Sequence, residues 1–154
     1  MGKLKELKKR LSQFDPNEVL NDTIDTARNE QFIAELIRKR LYEKGETSTG
    51  KKLRTDKARQ GQVYAPFTIG EKQRKGQPYD KITLKDTGSF YKSMEVEIEK
   101  RLFKVVGDSD KEDGKIEDNV DLTNVLNLSP DEITKLVNEI KSEYIQNVRK
   151  EIRI

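Results

Sequence analysis

The chain contains no cysteine and no histidine. Without thiols there is no disulfide, no thiol nucleophile and no cysteine-based metal site, and without imidazole the usual zinc centres and proton shuttles are excluded as well. Tryptophan is also missing, and only 32% of the 154 residues are apolar against 38% charged, a balance that predicts a thin core. A single domain spanning 1–154 is expected, part of whose order comes from neighbours. No apolar run approaches the roughly 18 residues of a membrane span, and the basic Met1–Arg10 segment lacks the apolar centre of a signal peptide. The expectation is a soluble protein assembled in a cytoplasm, with no membrane partner.

Charge is plentiful but unevenly placed. Between Arg38 and Lys81 there are thirteen Lys or Arg against five Asp or Glu, whereas Asp108–Asp121 holds seven acidic residues against two lysines. Such a dipolar chain suits head-to-tail packing of identical subunits, and two solvated loops of opposite sign would account for it equally well.

Helical spacing marks three segments. Leu4, Leu7 and Leu11, interleaved with five basic residues, predict a short amphipathic helix over residues 1–14. It could pack on the fold, dock as an arm on a neighbour, or touch a membrane or nucleic acid. Asp15-Pro16-Asn17-Glu18 is a helix start, with Asp15 as N-cap and Pro16 in the first turn. The helix it opens carries an apolar stripe from Val19 to Leu41, interrupted near Thr26–Gln31, and ends at Gly45. Ser129-Pro130-Asp131-Glu132 is a capping box opening an amphipathic helix over 129–150, with Asn119–Leu128 as a short helix or turn that pins it to the core.

Residues 46–76 read as an extended basic loop with four glycines. A loop of that length usually has a task, and Lys51, Lys52, Arg54, Lys57, Arg59, Lys72, Arg74 and Lys75 are candidates for a subunit interface or a DNA channel. No aromatic residues interleave with them in the way base recognition needs, so only sequence-independent DNA contact is expected.

The most informative stretch is Pro78–Asp110. Met94 to Glu99 alternates apolar and acidic side chains with the period of a half-buried strand, and Leu102–Val106 is a second short apolar run. With Glu99–Arg101 at the bend the two form a β-hairpin whose Met94, Val96 and Ile98 face a core. Before it, Leu84, Asp86, Thr87, Gly88, Phe90 and Ser93 make a corner: Asp86 or Thr87 caps a helical turn, and Gly88 takes a backbone conformation closed to other residues. Asp86-Thr87-Gly88 spells the aspartic-protease triplet, but its flanks are lysine-rich and no apolar strand precedes it, so a structural corner is expected. Asp108–Gly114 has calcium-loop letters without the required spacing. No catalytic residue, cofactor or metal is expected. The predicted fold is α+β: a small antiparallel sheet with this hairpin at its centre, packed by two long amphipathic helices, plus the long basic loop.

The spacing Leu-x-Asp-Thr-Gly-x-Phe-x-x-Ser followed by an alternating strand resembles the corner of neck and tail-completion proteins of tailed phages. The upstream Tyr64, Pro66, Thr68, Lys72 and Lys75-Gly76 add to the likeness, which runs from about residue 40 to 108. It is most similar to small virion proteins of crAss-like phages that infect Bacteroidetes. One departure is the acidic loop after the second strand, where many morphogenesis proteins carry a histidine-bearing stretch. The resemblance implies a non-enzymatic structural protein of the virion: a head–tail connector ring subunit at the portal vertex. Its partners would be identical subunits, portal and tail proteins, and non-specific DNA in the channel. A tail-side or internal cargo protein, and a non-specific DNA-binding accessory protein, are the alternatives.

Overall fold

In the computed structural model, residues 2–55, 63–100, 102–111, 114–116 and 120–152 are described. The order is α1 (Gly2–Gln13), α2 (Pro16–Ile24), α3 (Ala27–Lys44), α4 (Pro66–Arg74), α5 (Ser89–Lys92), β1 (Glu95–Glu99), β2 (Leu102–Val106), β3 (Asp110–Lys111), β4 (Gly114–Lys115) and α6 (Pro130–Ile152). The architecture is α+β, with β1 and β2 forming a two-stranded antiparallel sheet against which helices pack.

The expected helix from Pro16 onward is two helices. At Asp25–Thr26 the chain leaves helical geometry, and Thr26 restarts it as the N-cap of α3, its hydroxyl accepting from the Asn29 amide. Asp15 caps α2 by accepting from the Asn17 amide. α3 ends as expected at Gly45, whose φ of 62° is left-handed; a Cβ there would lie 2.7 Å from the Ile82 carbonyl oxygen, so both conformation and space demand glycine.

α3 is the central helix and serves two cores. Ala34, Ile37 and Leu41 pack with Leu53, Ile82, Phe90, Met94 and Val125, which gathers the corner and the turn before α6 onto one flank. Ile33 packs with Ile24 of α2 and with Leu136 and Ile140 of α6, and the inner side chains of the hairpin, Val96, Ile98, Phe103 and Val105, close over them. The hairpin register pairs Glu99 with Leu102, so Glu99 belongs to the strand and the bend begins at Lys100. Lys100 meets the demand for positive φ, at 46°, in place of the usual asparagine or glycine. Arg101 lies outside the described residues.

The stretch 46–76 is less of a loop than its composition suggests. Glu46 bridges to Lys52 and Thr55 to Val120, Leu53 is buried in the core, and Pro66 opens helix α4. Its apolar residues are too few to form a unit of their own, but spaced to reach a core built by others. Lys57 and Arg59 lie outside the described residues.

One buried ion pair crosses the molecule. Arg40 donates from Nε to Glu132 Oε1 at 3.0 Å and from its terminal nitrogens to the carbonyls of Glu46, Val125 and Asn127. Glu132 Oε2 accepts from the Ser129 amide while Ser129 Oγ accepts from the Glu132 amide, so the predicted capping box is formed and also supplies the counter-charge for Arg40.

Candidate interface at the corner and hairpin

Gly88, at φ 89°, is the N-cap of α5, and Thr87 Oγ1 accepts from the Ser89 amide at 3.3 Å. Thr87 therefore provides the side-chain oxygen, while Asp86 faces the other way and pairs with Lys75 at 2.5 Å. Phe90 is buried, and Gly107 at the end of β2 leaves only enough room for its ring. Ser93 Oγ donates to the Phe90 carbonyl and accepts from the Asp108 amide at 2.8 Å, tying the start of the hairpin to its far end. Leu84 is half-buried, packs on the core, and holds a positive φ of 55°. All six predicted corner residues lie together, each with a mechanical role.

Helix α4 is latched beneath this corner. Lys72, predicted as an interface or channel cation, is buried: Nζ donates to the Lys85 carbonyl at 2.8 Å and to Gln77 Oε1, and sits 5.0 Å from the centre of the Tyr64 ring. The fully buried Thr83 is gripped from both sides, its amide donating to Tyr64 Oη and its carbonyl accepting from Tyr91 Oη at 2.5 Å. Burial raises the ionisation of both phenols above the ordinary tyrosine range, Tyr91 far above it, so Tyr91 keeps the proton it donates, while the amide bond that Tyr64 accepts from Thr83 offsets part of its rise. Gln77 donates to the Asp86 carbonyl as well. The roles of the Tyr64 and Tyr91 hydroxyls become visible only once Thr83 is placed between them.

The other basic candidates scatter. Lys51 pairs with Asp121, Lys52 with Glu46, and Arg74 with Glu71 one turn earlier in α4. Arg54 is exposed without an ion pair. Of the described members of the set, one is sunk in the fold, four are engaged by carboxylates, and Arg54 faces solvent.

The hairpin supplies the clearest open surface. Its outer face carries Glu95, Glu97, Glu99, Leu102 and Lys104, all exposed. Lys104 bridges Glu97 at 3.0 Å and Glu99 at 2.5 Å, and those two carboxylates hold its ammonium above the usual lysine range. Beside β1, a cleft of about 380 Å³ separates Met94–Val96 from the Glu30, Gln31, Ala34 and Arg38 side of α3. Arg38 Nε is buried there without a hydrogen-bond partner. Partial burial, with Asp25 and Glu95 nearby, raises the Glu30 carboxyl. Sequence reasoning missed this cleft, because Arg38 and Glu30 look like ordinary residues of a solvated helix face.

Among the described residues no group of three potential metal ligands converges, and no helix is long and apolar enough to cross a membrane. Comparison with protein-family models, with curated proteins and with solved structures finds no match to this chain.

Proposed function

We propose that this chain is a structural subunit that assembles with copies of itself, as a neck or head–tail connector ring protein of a tailed phage joining portal to tail within the virion. One observation carries the reading: the residues that resemble the connector corner, Leu84 to Ser93, are spent on aiming a hairpin whose outer face is left bare. A heterologous contact between that face and a different surface of the next copy closes a ring when its rotation allows. The reaction chemistry of the site is correspondingly poor. Glu97 and Glu99 are exposed and shared with Lys104, and the phenols are committed to the Thr83 backbone.

The test is sizing of the purified chain alone and with its portal and tail proteins, together with its detection in purified particles. Assembly with the portal and presence in the particle is the expected result. A stable monomer that ignores both yet binds DNA with a steep loss of affinity in salt would overturn it in favour of a DNA-binding accessory protein. The exposed Arg54 is the feature that keeps that second reading in view.

A further inference from the structure

We propose that helix α1 of one copy lies across the outer face of the β1–β2 hairpin of the next, an inference that rests on the subunit reading above and names its contact. None of the described residues of α1 is buried. Leu7 is half-buried, and α1 lies against α6, yet Leu4 and Leu11 on the same stripe remain 62% and 51% exposed. Arg10 is paired with Glu6, which leaves Lys3, Lys5, Lys8 and Lys9 without carboxylate partners. This is a basic helix with two of its three stripe leucines uncovered.

The hairpin offers the complement. Three glutamates against one lysine make its outer face acidic, and Leu102 stands 73% exposed among them. The dimensions agree: a helix of twelve residues is about 18 Å long, and five-residue strands run about 17 Å. Leu4 and Leu11 are separated by about 10 Å of helix rise, a span that fits beside the Leu102 to Val106 side of β2. Packing the leucines on Leu102 would place the α1 lysines over Glu95, Glu97 and Glu99.

A second copy fits this face better than the same chain does. The hairpin's inner face is closed over Ile24, Ile33, Leu136 and Ile140, so the helices lie on that side. A helix resting on α6 would have to leave it to cover the outer face. Donor and acceptor surfaces are different patches, which makes the contact heterologous, as a ring requires.

Because the chain lacks cysteine, single thiols report the contact without background. Leu11→Cys and Leu102→Cys chains, one carrying a size tag, are mixed with a short bis-maleimide at low salt. With the two chains in equal amounts, the expected product is the mixed Leu11→Cys/Leu102→Cys dimer well beyond the twofold excess over either homodimer that random pairing gives. Adding Glu97→Lys and Glu99→Lys to the hairpin partner should lower its yield about tenfold, and adding Lys8→Glu and Lys9→Glu to the helix partner should restore it. Mixed dimer at or below that statistical excess, or yield indifferent to the charge changes, overturns the proposal. If wild-type chain still sediments as an oligomer in that case, the α1 contact alone is wrong. If it stays monomeric at every concentration and with portal and tail proteins, the subunit reading falls with it. Co-sedimentation with anionic phospholipid vesicles that depends on Leu4 and Leu11, without mixed dimer, would assign α1 to a lipid surface instead.

Discussion

Arg40 and Lys104 are both cations held by glutamate, and they do opposite work. Arg40 is buried, with Glu132 and three backbone carbonyls around it, and it joins α3 to the turn before α6. Lys104 spans Glu97 and Glu99 on the exposed face, where water can take its place beside either carboxylate. Charge in this chain therefore divides by depth. Buried pairs fix the fold, and exposed ones tune what the surface meets.

That contrast can be broken at its strong end first. Arg40→Ala leaves Glu132 and three carbonyls without their partner, and should cost about 3–5 kcal/mol in chemical denaturation. Urea unfolding that shifts no more than a surface mutant would show that water replaces the guanidinium. Lys72→Met removes the charged donor between α4 and the corner, and should cost about 1.5–3 kcal/mol. Faster amide exchange in α4 than in α3 would show that the latch, more than the core, has been lost. Gly88→Ala forces a side chain into left-handed backbone and should cost about 1–2 kcal/mol. Ser93→Ala should cost about 1 kcal/mol by freeing the Asp108 amide.

Alkaline titration sharpens the comparison with neutral groups. The Tyr64 and Tyr91 phenols are raised in the folded chain, so the stability they contribute is fully present below the unfolded value of about 10 and lost as pH climbs through the folded values. Melting temperature should hold steady toward pH 10 and then fall, and Tyr91→Phe should flatten that fall. At the weak end, Lys104→Ala should leave the melting temperature unchanged while altering the salt dependence of self-association. A lower melting temperature would mean the hairpin's outer pairs are part of what holds it together.

The helical stretches from Gly2 to Lys44, the C-terminal helix and the hairpin were legible because each has a local signature, such as Asp15 before Pro16, Gly45 after Lys44, and Met94 to Glu99 alternating, whereas α4 was read as part of the basic loop. The split at Thr26 was visible only as a gap in the apolar stripe. What stayed hidden is long-range. Arg40 lies beside Leu41 on the buried side of α3, which signals that it needs a counter-charge, but nothing local names Glu132, ninety-two positions later. The burial of Lys72 was likewise unreadable, since a lysine in a polar, glycine-bearing stretch looks solvated until Tyr64 and Lys85 are brought around it. At the corner, Gly88 takes a left-handed backbone and Thr87 supplies the oxygen to the Ser89 amide, while Asp86 pairs with Lys75.

The side-chain amide of Asn21 donates to the carbonyl of Lys100, mooring the hairpin tip to α2. A visitor to the outer surface therefore meets a ledge already in place, and little ordering entropy is lost on arrival. Encounter rates there should follow ionic strength more than any slow rearrangement of the protein.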